Sequence, residues 1–279
     1  MEIVQMDIMT IGNPFYLNGE IVERKKVGSL YHRLRIALPQ PVGPIKPGQF
    51  AMLKIEDGKG IILSRPFSIH NFEEGETSSW LDFLFKVVGK GTDLLARLSV
   101  RSHITVLAPL GNGFPDPPPG SKALLIAGGM GIAPLFPLAK RLKALSPHIY
   151  LLYGAKSQKD LIFLPEIINV KEIEIMIVTE DGTAGKQGMV TELLRNENGI
   201  KRSQIAIYAC GPELMLQSIA NYAAEHRTPC YVSLERWMAC GLGACLSCVV
   251  DTVGGYKRVC SEGPVFEAQE ILWGNDAKP

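Results

Sequence analysis

Three cysteines, Cys240, Cys245 and Cys248, stand in the spacing C-x4-C-x2-C, and a fourth, Cys260, follows after eleven intervening residues. That is the ligand spacing of a plant-type [2Fe–2S] site, in which four thiolates hold two irons. Gly241, Gly243, Ala244 and Ser247 are small enough to let the loop wrap closely and turn N–H groups toward sulfur, which stabilises added negative charge. Two other uses of these thiols stay open, a structural zinc site and scattered core thiols. Zinc sites usually show paired C-x2–4-C knuckles, and only one C-x2-C is present. A disulfide framework is disfavoured, because a chain of this length can bury its own core and shows no export signal. An iron–sulfur cluster moves one electron at a time and makes no product alone. The rest of the chain must therefore supply a donor and an acceptor.

The 279 residues predict about two domains. Net charge is +1, which gives no electrostatic case for nucleic acid. The N-terminal Met1-Glu-Ile-Val-Gln-Met-Asp-Ile carries acids where a signal peptide carries bases. No apolar run approaches the roughly 20 residues of a membrane span. Six cysteines, four of them in one cluster motif, fit a reducing compartment, so the expected location is the cytoplasm.

Residues 1 to about 110 read as short strands punctuated by turns. Val22-Glu-Arg-Lys-Lys-Val27, Tyr31-His-Arg-Leu-Arg-Ile36, Gln49-Phe-Ala-Met-Leu-Lys-Ile55 and Leu81-Asp-Phe-Leu-Phe-Lys-Val-Val88 alternate or run β-branched and aromatic. Gly28, Pro39, Pro41, Pro44, Pro47-Gly48 and Gly58 break them, the pitch of an antiparallel barrel or sandwich. Arg65-Pro-Phe-Ser68 follows a strand-like Ile61-Ile-Leu63 and reads as a proline-fixed turn that could offer a bidentate fork to phosphate. Gly89-Lys-Gly-Thr92 follows the strand ending at Val88 and precedes a helical Asp93-Leu-Leu-Ala-Arg-Leu98. A phosphate there would meet turn N–H groups, the Thr92 hydroxyl and a helix N-terminus. Each motif alone is more often just a turn.

Taken together, these two motifs resemble those of the ferredoxin–NADP reductase superfamily, in which Arg-x-Tyr/Phe-Ser and a later Gly-x-Gly-Thr on a β-barrel bind FAD. The resemblance implies that Arg65, Gly91 and Thr92 hold the pyrophosphate. Phe67 would lie near the flavin ring and Ser68 close to its reactive edge, with Pro66 among the cofactor-binding residues. Leu84-Phe85-Lys86 would position the adenosine half. Pro109-Leu-Gly-Asn-Gly-Phe114 would close the barrel near the domain junction.

Four prolines in residues 115–120 mark a linker. Beyond it, short apolar strands alternate with helical stretches: Ala123-Leu-Leu-Ile-Ala127, Ile149-Tyr-Leu-Leu-Tyr153, Ile173-Glu-Ile-Met-Ile-Val178 and Gln204-Ile-Ala-Ile-Tyr-Ala209. This predicts a doubly wound parallel α/β domain. Gly128-Gly-Met-Gly-Ile-Ala-Pro134 lies between the first strand and an amphipathic helix with Leu135, Leu138, Leu142 and Leu145 on one side. Pro134 stands where the last glycine of G-x-G-x-x-G would be, but strand, glycine turn and helix are the right context for Gly129 and Gly131 to cradle a pyrophosphate. Cys210-Gly211-Pro212 ends the last strand at the carboxyl edge, where ligands bind. The superfamily resemblance puts Cys210 beside a nicotinamide; a buried small thiol reads equally well. Glu180 and Asp181, in Thr179-Glu-Asp-Gly182, would repel a 2′-phosphate and so favour NAD over NADP, or they form a solvated acidic turn.

Tyr231-Val-Ser-Leu-Glu-Arg-Trp-Met-Ala-Cys leads a strand into the cluster loop. Val249-Val-Asp-Thr-Val and Tyr256-Lys-Arg-Val-Cys260 read as a hairpin on Gly254-Gly255 that returns Cys260 to the other thiols. The order of parts, the string Ser-Leu-Glu-Arg-x-Met-Ala-Cys-Gly-Leu-Gly-Ala-Cys-Leu-x-Cys and the late Val-Cys-x-x-Gly-Pro-Val-Phe266 resemble, over nearly the whole chain, the electron-transfer subunits of NAD-dependent dihydroorotate dehydrogenase. The resemblance implies an FAD-binding antiparallel β-barrel (1–114), an NAD-binding α/β domain (120–228) and a small [2Fe–2S] domain (229–279). It also implies a partner, an FMN-containing catalytic subunit that oxidises dihydroorotate in pyrimidine (UMP) biosynthesis, in a heterotetramer of two of each chain. Electrons would run from FMN through the cluster and FAD to NAD+, with no general acid or base on this chain. Subunits of sulfhydrogenases and of ferredoxin:NAD(P) oxidoreductases share the architecture and stand as the alternative. Leu234, Trp237, Met238, Leu242 and Leu246 around the cluster read either as a docking contact or as core.

Overall fold

The computed structural model describes residues 14–55, 62–168, 170, 172–195 and 204–274. The acidic stretch from Met1 to Ile8, Gly58 and Ile61 lie outside them. Six strands close an antiparallel barrel: β1 (Phe15–Lys26), β2 (Tyr31–Leu38), β3 (Phe50–Lys54), β4 (Arg65–Glu74), β5 (Ser79–Lys86) and, after helix α1 (Lys90–Arg97), β6 (His103–Leu110). Their order round the barrel is β1-β2-β5-β4-β3-β6. The sequence accounts for this directly. In β2, Tyr31, Leu34, Ile36 and Leu38 are buried while Arg33, Arg35 and Ala37 are not, the period-two pattern of a strand with one face on a core. Ile21, Leu34, Ile36, Ile69, Leu81, Phe83, Ile104 and Val106 fill the interior, each worth roughly 1.5–3 kcal/mol when fully buried.

One expectation is corrected here. Residues 65–68 are not a turn but the start of β4, paired with β3 in the register Leu53↔Arg65, Met52↔Pro66, Ala51↔Phe67 and Phe50↔Ser68. On its other side β4 meets β5 only from Ile69↔Phe83 onward. Residues 65–68 and residues 84–86 therefore diverge, and the barrel wall splits between them. Pro66, which lacks an N–H, is tolerated in a stretch paired on one side alone.

The second layer is a sheet built from β7 (Lys122–Gly128), β8 (Ile149–Ala155), β9 (Ile173–Thr179), β10 (Lys186–Gln187), β11 (Ile205–Cys210), β12 (Cys230–Ser233) and β15 (Val265–Glu267). Between β12 and β15 lies the hairpin of β13 (Val249–Thr252) and β14 (Gly255–Arg258). The sheet order is β10-β9-β8-β7-β11-β12-β15, parallel throughout except for the β15 edge. Helices α2 (Ile132–Leu142), α3 (Leu164–Ile168), α4 (Val190–Arg195) and α5 (Glu213–Glu225) connect the strands. Every residue of β11 is buried, as a central parallel strand covered on both faces requires. Leu145, expected on the apolar side of the first helix, falls beyond its end and is 42% exposed. β12 and β15 flank the cluster loop in sequence yet belong to this sheet, so the loop grows out of its edge.

Candidate functional site

The cluster loop runs from the end of β12 to the β13–β14 hairpin. Cys248 and Cys260 are buried, Cys240 is half-buried and Cys245 is exposed. Backbone N–H groups donate to three of the sulfurs: Leu242 to Cys240 Sγ at 3.3 Å, Gly243 to Cys260 Sγ at 3.1 Å and Cys260 to Cys248 Sγ at 3.4 Å. The first two come from the turns at Gly241 (φ +73) and Gly243 (φ +79), a conformation that glycine adopts without strain. Ser247 Oγ accepts from the Ala239 N–H at 3.2 Å and lies 3.1 Å from Cys245 Sγ. With the Ser247 hydroxyl and N–H on it, the Cys245 thiol is drawn down to about 6. Burial, with Cys248 beside it, pushes the Cys260 thiol up to about 12. Cys240 lies against Cys245 at the surface and Cys248 against Cys260 inside, with Cys240 also acting on Cys260 across the loop. Among the described residues, no three His, Cys, Asp or Glu side chains close around a single-ion point. Two thiol pairs with N–H donors on sulfur fit a two-iron cluster, with one pair available to each iron.

The flavin motifs meet at the split in the barrel wall. The Arg65 guanidinium lies across the Gly91 turn, so close that a Cβ on Gly91 would stand 2.1 Å from Arg65 Nε and Cζ. Arg65 Nη1 also donates to Leu63 O at 2.8 Å. Thr92 Oγ1 accepts from the N–H groups of Val88 (2.9 Å) and Gly89 (3.1 Å) and donates to Gly89 O (3.0 Å). Those three bonds use its whole capacity, so Thr92 shapes the turn and does not offer an open hydroxyl to a phosphate. Phe67 is half-buried, edge-on to Phe85 at 5.6 Å, and Pro66 and Ser68 are half-buried. Leu84 and Phe85 are core side chains and could meet a ligand only through their backbone at the split edge. Lys86 turns to the nucleotide domain, 3.6 Å from Asp160 and over the Tyr31 ring. An arginine fork at a helix N-terminus beside an unpaired strand edge suits a dinucleotide pyrophosphate and a flat ring.

The glycine turns expected to cradle a dinucleotide lie where the strand order reverses around β7. Gly131 packs on the backbone after β11; a Cβ there would stand 1.9 Å from Cys210 O. Gly211 (φ +155) lies against Gly128, and Gly129 (φ +52) faces open space. Pro212 caps α5. The Cys210 side chain is buried, and burial raises its thiol well above the ordinary value. The Cys210 sulfur is therefore enclosed in the core and does not stand open to a ligand. Glu180 and Asp181 follow β9, next to the loop after β8, with the Asp181 N–H donating to Lys156 O at 3.2 Å. Asp181 accepts from Thr183 N and Oγ1, and these bonds lower its carboxyl pKa.

Two contacts that sequence reasoning missed tie the sites together. Gly241 sits on β3, where a Cβ would stand 2.6 Å from Met52 Cγ, and Met52 pairs with Pro66. The Asn112 N–H donates to Gly263 O at 2.6 Å and its Nδ2 to Glu262 O at 2.9 Å, which clamps the chain after Cys260 to the end of the barrel. No local pattern signals either. A third omission is Glu235, an exposed residue whose carboxyl pKa is raised by the protein around it and which also bears on the Cys210 thiol. The apolar residues around the cluster divide. Leu234 is core and Met238 packs against it, whereas Trp237 (83% exposed), Leu242 and Leu246 face outward. No helix of the described residues is long and apolar enough to cross a membrane.

Residues 235–272 match the iron-sulfur cluster binding domain of dihydroorotate dehydrogenase B, and residues 125–221 match the oxidoreductase NAD-binding domain. The dihydroorotate dehydrogenase B (NAD(+)) electron transfer subunit of Desulforamulus reducens is 37% identical over 231 residues, 81% of this chain and 87% of that protein. Its homolog from Aquifex aeolicus is 36% identical over 258 residues, 92% of this chain and 98% of that one. A solved NADH-dependent reduced ferredoxin-NADP oxidoreductase, described for flavin-based electron bifurcation, superposes with a TM-score of 0.80 at 30% identity, covering 91% of this chain and 90% of that one. A ferredoxin NADP+ reductase from Neisseria gonorrhoeae, with bound FAD and NADP, superposes with a TM-score of 0.61 at 20% identity over 75% of this chain and 91% of that one, a likeness of fold alone. With relatives of this identity aligned over most of its length, the chain belongs to the family of electron transfer subunits of dihydroorotate dehydrogenase B, oxidoreductase subunits whose work is the movement of electrons.

Proposed function

We propose that this chain carries electrons from the FMN of a dihydroorotate dehydrogenase catalytic subunit to NAD+, through a [2Fe–2S] cluster on Cys240, Cys245, Cys248 and Cys260 and an FAD at the split of the barrel. The observation that carries this reading is the seat of the cluster loop. Gly241, next to Cys240, rests on Met52, and Met52 pairs with Pro66 inside the flavin motif. When bound, the cluster exchanges single electrons and FAD converts single electrons into a hydride pair. Dihydroorotate would lose two electrons and two protons on the partner; NAD+ would take a hydride here and one proton would be released.

The chain's own residues do the positioning. Arg65 and the N–H groups at Gly91 would hold the FAD pyrophosphate, with Thr92 keeping the turn in shape. The split edges at residues 65–68 and 84–86 would take the ring and the adenosine half. Gly129, Gly131 and the backbone of residues 210–212 would hold NAD. Ionised Asp181 and neighbouring Glu180 would repel a 2′-phosphate and so select NAD over NADP. Trp237, Leu242 and Leu246, around the exposed Cys245, would form the docking face for the catalytic subunit in a heterotetramer of two of each. The pathway would be pyrimidine (UMP) biosynthesis, in the cytoplasm.

A second reading, a subunit serving ferredoxin:NAD(P) chemistry, is favoured by the 30% identity over 91% of the chain to the ferredoxin-NADP oxidoreductase structure. Mixing the purified protein with a dihydroorotate dehydrogenase catalytic subunit separates the two. Dihydroorotate-dependent reduction of NAD+ by the mixture, and by neither chain alone, supports the first reading. Its absence, with ferredoxin-dependent reduction present, overturns it.

A further inference from the structure

A buried histidine joins the barrel to the nucleotide domain. The β4–β5 register steps from Ile69↔Phe83 to Asn71↔Asp82, so His70 is the extra residue of a β-bulge. A bulge re-aims its side chain, and His70, 1% exposed, points under α2. Its ring stacks on Phe136 at 5.1 Å and meets Phe163 edge-on at 4.3 Å. Its Nδ1 lies 3.0 Å from Ala133 O. In an uninterrupted helix Ala133 O would accept from the N–H of residue 137. Residue 137 is proline, inside α2, and has no N–H to give. The carbonyl orphaned by Pro137 is thus satisfied from the other domain, by His70. Because Ala133 O can only accept, Nδ1 carries the hydrogen and Nε2 keeps its lone pair, buried and without a partner among the described residues. Burial holds the ring neutral, at about 4; Asp82 on β5, Arg33 on β2 and Lys140 on α2 are the charged groups that bear on it. On the next residue, Asn71 Oδ1 accepts from Lys140 Nζ at 3.2 Å, a second link along the same seam.

The two ends of this bond are the neighbourhoods of the two cofactors. His70 is two residues from Ser68 at the end of the flavin motif, and Ala133 is two residues from Gly131 in the dinucleotide cradle. We infer that His70 is a positioning residue for hydride transfer, its Nδ1–H bond to Ala133 O fixing the nucleotide cradle against the strand that carries the flavin motif. The inference rests on the reading that NADH and FAD meet across this junction. A residue that merely packed the seam could be replaced by another aromatic ring. A residue whose bond to Ala133 O ties the two domains could not, even if the helix recovered its own donor.

The test is the rate of flavin bleaching on rapid mixing of the FAD- and cluster-loaded protein with NADH. His70→Phe keeps the rings but leaves Ala133 O without a donor; it should slow bleaching by about tenfold to a hundredfold, the effect of a misplacement on the order of 1 Å, with flavin content unchanged. Pro137→Ala alone should stay near wild type. His70→Phe combined with Pro137→Ala returns an intrahelical N–H to Ala133 O but no bond to β4, so it should stay as slow as His70→Phe while its thermal stability recovers. A His70→Phe rate equal to wild type, or a double variant that regains the wild-type rate, overturns the inference. Absence of bleaching in wild type overturns the functional reading as well, so the two failures differ. Independently of activity, imidazole nitrogen NMR of wild type should show His70 neutral with its proton on Nδ1 between about pH 5 and 8. An Nε2–H tautomer, or titration at the ordinary value, overturns it even if the variants fail to fold.

Discussion

Gly91→Ala should weaken the flavin site and leave the fold intact. Gly91 is the second residue of α1, and it is absent from the positive-φ glycines, so alanine suits its backbone. The gain of up to about 1 kcal/mol that Gly→Ala gives in an exposed helix interior does not apply, because Gly91 is buried under the Arg65 side chain. The new methyl would stand 2.1 Å from Arg65 Nε and Cζ and 2.4 Å from Nη2. The guanidinium is the far end of a flexible, half-buried side chain, so it swings away and the fold survives. What is lost is the fork over the turn. A hydrogen bond to a charged group contributes roughly 1.5–3 kcal/mol, which is about a tenfold to a hundredfold rise in the FAD Kd. Gly89→Ala is the built-in control, because nothing lies within 4 Å of its Cβ and its φ of 178° is ordinary extended backbone. The assay is quenching of flavin fluorescence on titrating apoprotein with FAD, with thermal melting of the same samples. Arg65→Ala should match the loss in Gly91→Ala, and Gly89→Ala should bind as wild type. Wild-type FAD affinity in Gly91→Ala would refute the placement of Arg65 at the phosphate.

Cys245→Ser should lose the cluster and keep the flavin, since Cys245 is exposed and far in sequence from the barrel; a full complement of iron and sulfide in that variant would overturn the ligand assignment. Asp181→Asn together with Glu180→Gln should raise kcat/KM for NADPH relative to NADH, more so at low salt; an unchanged ratio would place selection elsewhere. The His70 ring, held at about 4 by burial against an ordinary 6.5, is neutral in folded and unfolded protein above about pH 6.5. As pH falls below that, the unfolded chain binds a proton that the folded one refuses. Stability is then lost down to about pH 4, by as much as ~3 kcal/mol at 1.36 kcal/mol per unit. Urea melts of wild type and His70→Phe should therefore converge on acidification, and parallel pH profiles would contradict this.

The cluster loop was legible because its chemistry is local: ligand spacing and small residues sit in one short run. The alternating β2, the largely apolar β7 and the apolar β11 were legible from period and composition. β4 was not. Arg65-Pro66 carries turn chemistry, and the strand survives only because the barrel wall opens beside it, a tertiary fact. Thr92 reads as a phosphate ligand in a Gly-Lys-Gly-Thr string, yet its hydroxyl is consumed by Val88 and Gly89 once the turn closes. Leu84 and Phe85 match a binding motif by position while their side chains serve the core. The Met52–Gly241 seat and the His70–Ala133 bond join residues far apart in sequence, and no periodicity reports such contacts. Leu145 failed for a simpler reason, since the helix ends before it and its side chain meets water.

The central claim is that one chain holds a flavin and an iron–sulfur cluster in electronic contact and reduces them from NADH. It is tested most directly by an anaerobic visible titration of the purified protein with NADH. Flavin and iron–sulfur absorbance that bleach together, with the cluster bands following in wild type and missing in Cys245→Ser while the flavin still bleaches, is the expected result. A colourless protein inert to NADH would contradict the account, and so would flavin bleaching that leaves an intact cluster oxidised despite excess NADH.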